Sequence, residues 1–241
     1  MTTTSRGTIA SFHLTRYAEL GAMRHMAFDR PVLRSTPGLL FWRLLGSGRG
    51  TSMSLGADLR RWAMLAVWRE ERALDDFLAT SPVAARRRDE ALESWHVRLV
   101  PLGSRGRWGG VEPFGPAAGE GSVVDGGPVA VLTRASIRPS RLVPFYRSIA
   151  GVDRLLREQD GCLASVGVGE WPLARQATFS LWRDAGAVRE FAYRGGAHRE
   201  VVGRTRAGGW YSEELFARFA PYGSEGTWNG IDPLRHGGHS L

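Results

Sequence analysis

Lysine is absent from this chain, so all 32 of its basic side chains are arginine. Against 24 acids they leave a net charge of +8, which raises the question of nucleic acid, because clustered cations gain affinity by releasing phosphate counterions. The arginines are spread along the chain rather than gathered into an arm. The densest group, Arg86-Arg87-Arg88, is followed at once by Asp89 and Glu90, as on a solvated helix face. A nucleic-acid partner is therefore not expected, and the excess charge suits carboxylates of a cofactor or a membrane surface instead.

Cysteine is reduced to Cys162, which excludes an internal disulfide framework and any cysteine-rich metal site; its neighbours suggest a buried strand residue. Long apolar runs are missing too. No stretch approaches the roughly 18 residues of a membrane-crossing helix, so no integral membrane segment is expected. The opening Met-Thr-Thr-Thr-Ser-Arg-Gly has no apolar core of a signal peptide, and a cytoplasmic protein is the expectation. Phosphate-loop and dinucleotide spacings do not follow Gly46-Ser47-Gly48-Arg49-Gly50, no Gly-x-Ser-x-Gly elbow occurs, and no paired histidines or carboxylate-histidine cluster complete a zinc or non-haem iron site.

What is present is a repeat. With 43% apolar residues the chain can bury a core, and its periodicity predicts strands at 8–16, 39–45, 62–68 and 95–102, a helix over 18–30, and helical segments across 71–93 broken at Ser81-Pro82. After a small, flexible stretch at 115–127, the order recurs: strand 128–137, helix 141–159, strands 162–169 and 175–182, helix 185–206, strand 215–222. The letters recur as well. The segment Pro101 to Pro113 matches Pro221 to Pro233 at an offset of 221 − 101 = 120, and Trp68-Arg69-Glu70 matches Trp182-Arg183-Asp184 at 182 − 68 = 114. Six extra residues in the second copy fall near Tyr193-Arg194-Gly195-Gly196-Ala197-His198.

Each half thus reads β-α-β-β-α-β, the ferredoxin-like arrangement, whose antiparallel sheet carries helices on one face and leaves the other bare. Two copies bury their bare faces against each other. The expected fold is α+β, tandem ferredoxin-like repeats closed into a fused version of the dimeric α+β barrel, with 1–114 as a scaffold half, 115–127 as a linker and 128–241 as the half that keeps a site. The asymmetry points to His198, whose counterpart at the 114 offset is Ala84. On a helix, Arg194, Val201 and Val202 share its face.

Taken alone, the residues leave His198 between a capping histidine and an iron ligand, since a neutral imidazole can hold a haem iron from one side. His13 and His96 read as structural, and His25 as lying on an exposed helix. Phe179, Trp182, Phe191, Trp210 and Phe216 suit either a core or the lining of an apolar pocket. Glu213 and Glu214 read as helix-start charges or as acceptors for the imidazole N–H, and Arg175 and Gln176 as polar groups on the far side of the pocket.

Several stretches together resemble the spheroidene monooxygenase family, the acyclic carotenoid 2-ketolases: Phe41-Trp42-Arg43-Leu44-Leu45-Gly46-Ser47-Gly48, Leu132-Thr133-Arg134-Ala135-Ser136-Ile137, Gln176-Ala177-Thr178-Phe179-Ser180-Leu181-Trp182, Ala197-His198-Arg199 and Trp210 to Phe219. The resemblance implies a haem-dependent oxygenase acting on a small apolar organic substrate and fed electrons by a ferredoxin. It implies haem b, its iron held by His198, with Arg194, Val201, Val202, Phe179 and Trp210 about the cofactor and Arg175 and Gln176 as catalytic polar groups. It also admits a homodimer. Peroxidase-type or dehydratase-type haem chemistry on the same scaffold, or a barrel that only binds a small ligand, are the alternatives.

Overall fold

A computed structural model describes residues 7–20, 23–48, 56–115, 126–147, 159–171, 174–194 and 208–236. Eight strands form one closed antiparallel barrel: β1 (Ile9–Tyr17), β2 (Leu39–Gly48), β3 (Ala57–Trp68), β4 (Ala91–Gly106), β5 (Val129–Ile137), β6 (Cys162–Trp171), β7 (Arg175–Trp182) and β8 (Tyr211–Gly226). Their order around the wall is β1-β3-β2-β6-β7-β5-β8-β4. Each repeat therefore contributes its strands in the same ferredoxin-like sequence, β4-β1-β3-β2 and β8-β5-β7-β6. Two seams join them: a long one from Trp95↔Gly226 to Gly106↔Leu215, and a short one at Gly46↔Gly169 and Ser47↔Val168.

Alternation along each strand sends one set of side chains inward. Phe12, Leu14, Leu65, Val97, Leu99, Leu132, Val166, Phe179, Leu181 and Phe219 fill the lumen as one cluster drawn from both repeats. At its centre Phe12 and Phe179 stack with ring centroids 3.9 Å apart and planes 9° from parallel. The two half-cores are thereby a single core, which removes the sheet edges that a lone ferredoxin-like sheet would expose.

The repeated letters after Pro101 and Pro221 close the barrel ends. In each copy a glycine at positive φ, Gly106 (88°) and Gly226 (85°), turns the strand away. A Cβ there would stand 2.1 Å from the Glu214 carbonyl oxygen and 2.0 Å from that of Ser94, so only glycine fits. The chain then folds back through the bridges Trp108↔Val111 and Trp228↔Ile231, and both tryptophans plug the lumen. β4 and β8 run about four residues beyond the predicted bounds at each end; the added first residues alternate in burial, exposing Leu92 and Ser94 in β4 and the polar Ser212 and Glu214 in β8. Glu213 and Glu214 consequently sit on a strand, not at a helix start.

Three helices cover the first repeat: α1 (Met23–Arg34), α2 (Glu71–Thr80) and α3 (Pro82–Glu90). Pro82 starts α3, and the Ser81 hydroxyl accepts the Val83 N–H at 3.2 Å, a local cap that ends one helix and begins the next. In the second repeat, helical turns run over 139–147, α4 spans Ala185–Arg194, and the short α5 is Pro233–His236. Residues 148–158 and 195–207, where the sequence predicts the rest of two helices, lie outside the described residues. His13 is structural, as expected: the Ser11 hydroxyl accepts from the Trp68 indole and is hydrogen-bonded to His13 Nε2, both at 2.9 Å. His25, by contrast, is buried under α1, its Nε2 2.9 Å from Glu90. Cys162 is half-buried in β6, where burial pushes its thiol up to about 11. No described helix is long and apolar enough to cross a membrane.

Candidate functional site

The outer face of the sheet is where the two repeats differ. In the first repeat, one hydrogen-bonded row across the strands reads Leu44–Met64–His13–His96. Leu44 and Met64 are buried beneath Leu74, Phe77, Val83 and Ala84 of α2 and α3, in one continuous cluster, and His13 is buried beside Phe77. The equivalent row of the second repeat reads Gly167–Thr178–Thr133–Phe216. Histidine, methionine and leucine are replaced by two threonines and a glycine. Thr133 is exposed and Thr178 half-buried.

Among the described residues, packing above this row is split rather than continuous. On one side Val129, Val131, Trp182 and Ala187 cluster with Phe191 under α4. On the other, Ala135, Ile137, Phe145 and Trp210 cluster with Tyr146 and Tyr211. Along β5 the outward residues thus run from a packed cluster through Thr133 to a second packed cluster. Between these clusters the described side chains make a floor of small groups with aromatic walls, three inter-strand steps of about 4.8 Å wide, or roughly 14 Å. Such a shape admits a flat, largely apolar group laid against the sheet.

Alternation decides which expected residues meet this floor. Gln176 shares the outward face with Thr178 and borders the floor, its amide lying against Gly169. Trp210 stands in one wall. Phe179 follows Thr178 and therefore points the other way, into the lumen, where it stacks on Phe12 rather than lining the floor. Arg175 is exposed at the start of β7. His198, Val201 and Val202 lie outside the described residues, as does the side chain of Arg194, which ends α4. Among the described residues no group of three His, Cys, Asp or Glu is placed to hold a metal ion.

Directly behind the floor, on the lumen side, is an ionic network that sequence reasoning missed. Arg134, next to Thr133, is only 3% exposed. Its guanidinium donates to Glu213, to Ser136 Oγ at 2.9 Å and to Glu170 at 3.4 Å. Glu170 in turn pairs with Arg43 at 2.8 Å and accepts the Trp108 indole N–H at 2.9 Å. Glu213 accepts the backbone N–H groups of Gly109 and Gly110 at 2.8 and 2.7 Å. Two arginines and two glutamates balance, and the set bolts β2, β5, β6 and β8 to the loop after β4. At Arg134's place the first repeat has Leu14. A position-by-position comparison of the repeats is the signal that would have found both the floor and this network.

Burial alone would raise the Glu213 carboxyl, but the N–H groups of Gly110 and Gly109 and the Arg134 guanidinium outweigh it and hold the group below its ordinary value. A carboxyl depressed in the folded chain stabilises above its unfolded pKa, about 4.3, and that stability is lost as pH falls through the folded value. Urea midpoints measured at successive pH values should therefore drop below about pH 4.3 in the parent, and less steeply in Glu213→Gln.

The floor's fold and sequence have known relatives. No protein-family model matches the chain. Spheroidene monooxygenase of Rhodobacter capsulatus is 35% identical over 230 residues, covering 94% of this chain and 95% of that protein. Spheroidene monooxygenase of Rubrivivax gelatinosus is 36% identical over 210 residues, covering 87% and 79%. Among solved structures, an aldoxime dehydratase in complex with butyraldoxime superposes with a TM-score of 0.60 at 10% identity, covering 96% of this chain and 86% of that one; it shares the barrel fold.

Proposed function

The chain belongs to the spheroidene monooxygenase family, and from that premise we propose that it is a haem-dependent monooxygenase of an apolar, carotenoid-like substrate. Haem b would lie on the second-repeat floor, with His198 as the proximal iron ligand. The observation that carries this reading is the replacement of the packed row Leu44–Met64–His13 by Gly167–Thr178–Thr133, which among the described residues puts small side chains on one repeat where the other has a filled core. One imidazole would suffice to hold this group, because the porphyrin's own nitrogens would supply the other ligands to its iron.

When bound, the haem iron supplies the redox chemistry that activates dioxygen. The chain's own residues do the rest. His198 follows α4 in sequence, and the neutral form of its imidazole is the one that ligates. Gly195 and Gly196 before it carry no side chain to obstruct a macrocycle. Thr133, Thr178 and Gly167 allow close approach to the sheet, while Trp182, Phe191, Phe216 and Trp210 exclude water and match an apolar substrate. Gln176 offers an amide donor at the edge of the floor, and Arg175 a cation beyond it. Electrons are expected from a ferredoxin-class donor.

The test is reconstitution of the purified chain with haem b. A Soret band should appear, and conversion of a carotenoid-like polyene should need both dioxygen and a reduced ferredoxin. Colourless protein, or turnover sustained by peroxide alone, would overturn the reading.

A further inference from the structure

α1 is inside out. Of its twelve residues, those buried against the barrel are His25, Asp29 and Leu33, spaced one turn apart. Two of the three are polar, and they are satisfied from below: His25 by Glu90 at 2.9 Å, Asp29 by Arg86 and by Arg87, the latter at 4.0 Å. The opposite face presents Met23, 63% exposed, and Phe28, 64% exposed, with Ala27 and Pro31 between and beyond them. Arg24, Arg30 and Arg34 flank this apolar ridge, all exposed. Asp29 is the helix's single acid, and it is turned inward. A surface helix ordinarily exposes polar groups and buries apolar ones, so the large exposed side chains of Met23 and Phe28 stand out on this one.

The barrel rim on which the inner face of α1 rests exposes apolar side chains of its own. The His25 ring is 5.6 Å from Tyr17, the last residue of β1, and register pairs Tyr17 with Ala91 and Arg16 with Arg61. Leu92 and Leu59 therefore come to the same rim as Leu20, and all three are about half or more exposed, at 65%, 49% and 58%. Arg16 and Arg60 stand exposed among them, against the exposed acids Glu19 and Asp89.

We propose that this face, α1 with the adjoining rim, docks on the surface of an anionic phospholipid bilayer. Apolar side chains on a helix and on several strand tips, fringed by arginine, match an interface where hydrocarbon lies just below phosphate. Arginine suits the second layer because its fork binds phosphate oxygens bidentately. The inference draws its purpose from the apolar-substrate reading, since a bilayer is where such a substrate dissolves, but its test needs no substrate.

Full-length protein, with and without haem, is mixed with phosphatidylcholine vesicles containing or lacking phosphatidylglycerol, and flotation is measured. The parent should float with the anionic vesicles and be released by raised salt. The double variant Met23→Asp with Phe28→Asp should lose about tenfold or more of that partitioning, because two apolar anchors go and two like charges arrive. Its thermal midpoint and any Soret band should be unchanged, because both side chains are solvent-facing. A parent that stays with the soluble fraction, or a variant that floats equally well, overturns the proposal. So does sedimentation showing a parent dimer that the variant dissolves without any flotation, which would give this face to a second copy of the chain. Flotation is read independently of colour and turnover, so its failure and failure of the haem reading are distinguishable.

Discussion

His198→Ala should leave a folded barrel that no longer develops a Soret band on mixing with haem b. Polyene oxygenation should fall by about a hundredfold or more, since even weakening the support of a metal ligand costs roughly 10- to 100-fold. The expectation rests on position. His198 lies beyond α4, which packs through Ala187 and Phe191 against Trp182 at one wall of the floor, and its counterpart in the first repeat is Ala84, buried in an ordinary apolar core. Far-ultraviolet circular dichroism separates loss of ligand from loss of fold. Addition of imidazole supplies a further check, because a vacated proximal position should accept the free ligand and regain part of the band. A variant whose spectrum matches the parent would move the ligand elsewhere.

The second large effect is expected from filling the floor with the first repeat's own side chains. Gly167→Leu together with Thr178→Met recreates the packed Leu44 and Met64 row on the second sheet. Both residues occur at the equivalent positions of the other half, so the strand geometry tolerates them. The added side chains occupy the space that haem would need. Uptake should weaken by at least about tenfold, equivalent to roughly 1.4 kcal/mol of binding free energy, while the thermal midpoint stays level or rises as apolar surface is covered. Titration with haem followed at the Soret wavelength reads the first effect and calorimetry the second. Unchanged uptake with the floor filled would place the cofactor off this face. Together the two variants are informative in a way neither is alone, because the first removes a bond to iron and the second removes only room.

The architecture follows from local properties that a sequence displays directly. The almost wholly buried run of β1 and the alternating burial that opens β4, the cap at Ser81-Pro82 and the repeated turn after Pro101 and Pro221 each depend on neighbours a few residues away, and each is visible as a pattern of letters. Once two sheets with one bare face apiece are recognised, a closed barrel is the arrangement that hides both faces. Strand β7 has the predicted bounds, and β5 and β6 differ from prediction by only one or two residues. β2, β3, β4 and β8 outran expectation; β3 starts at Ala57, where Asp58, Arg60 and Arg61 interrupt the apolar pattern, a weaker signal than an apolar run.

What the chain's letters determined by themselves was therefore the doubled ferredoxin-like plan, the family it belongs to and the asymmetry that singles out His198. Which side chains face one another was decided only in three dimensions. Period-two alternation sends Phe179 into the lumen and its neighbour Thr178 to the outer face, a distinction that depends on register across four strands. Arg134, Glu170, Arg43 and Glu213 come from four strands far apart in sequence, and only closure of the barrel makes them one ionic network. Likewise the polar part of α1's inner face shows only when the barrel beneath it is known, because burial of His25 and Asp29 is a property of what they pack against and not of the helix that carries them.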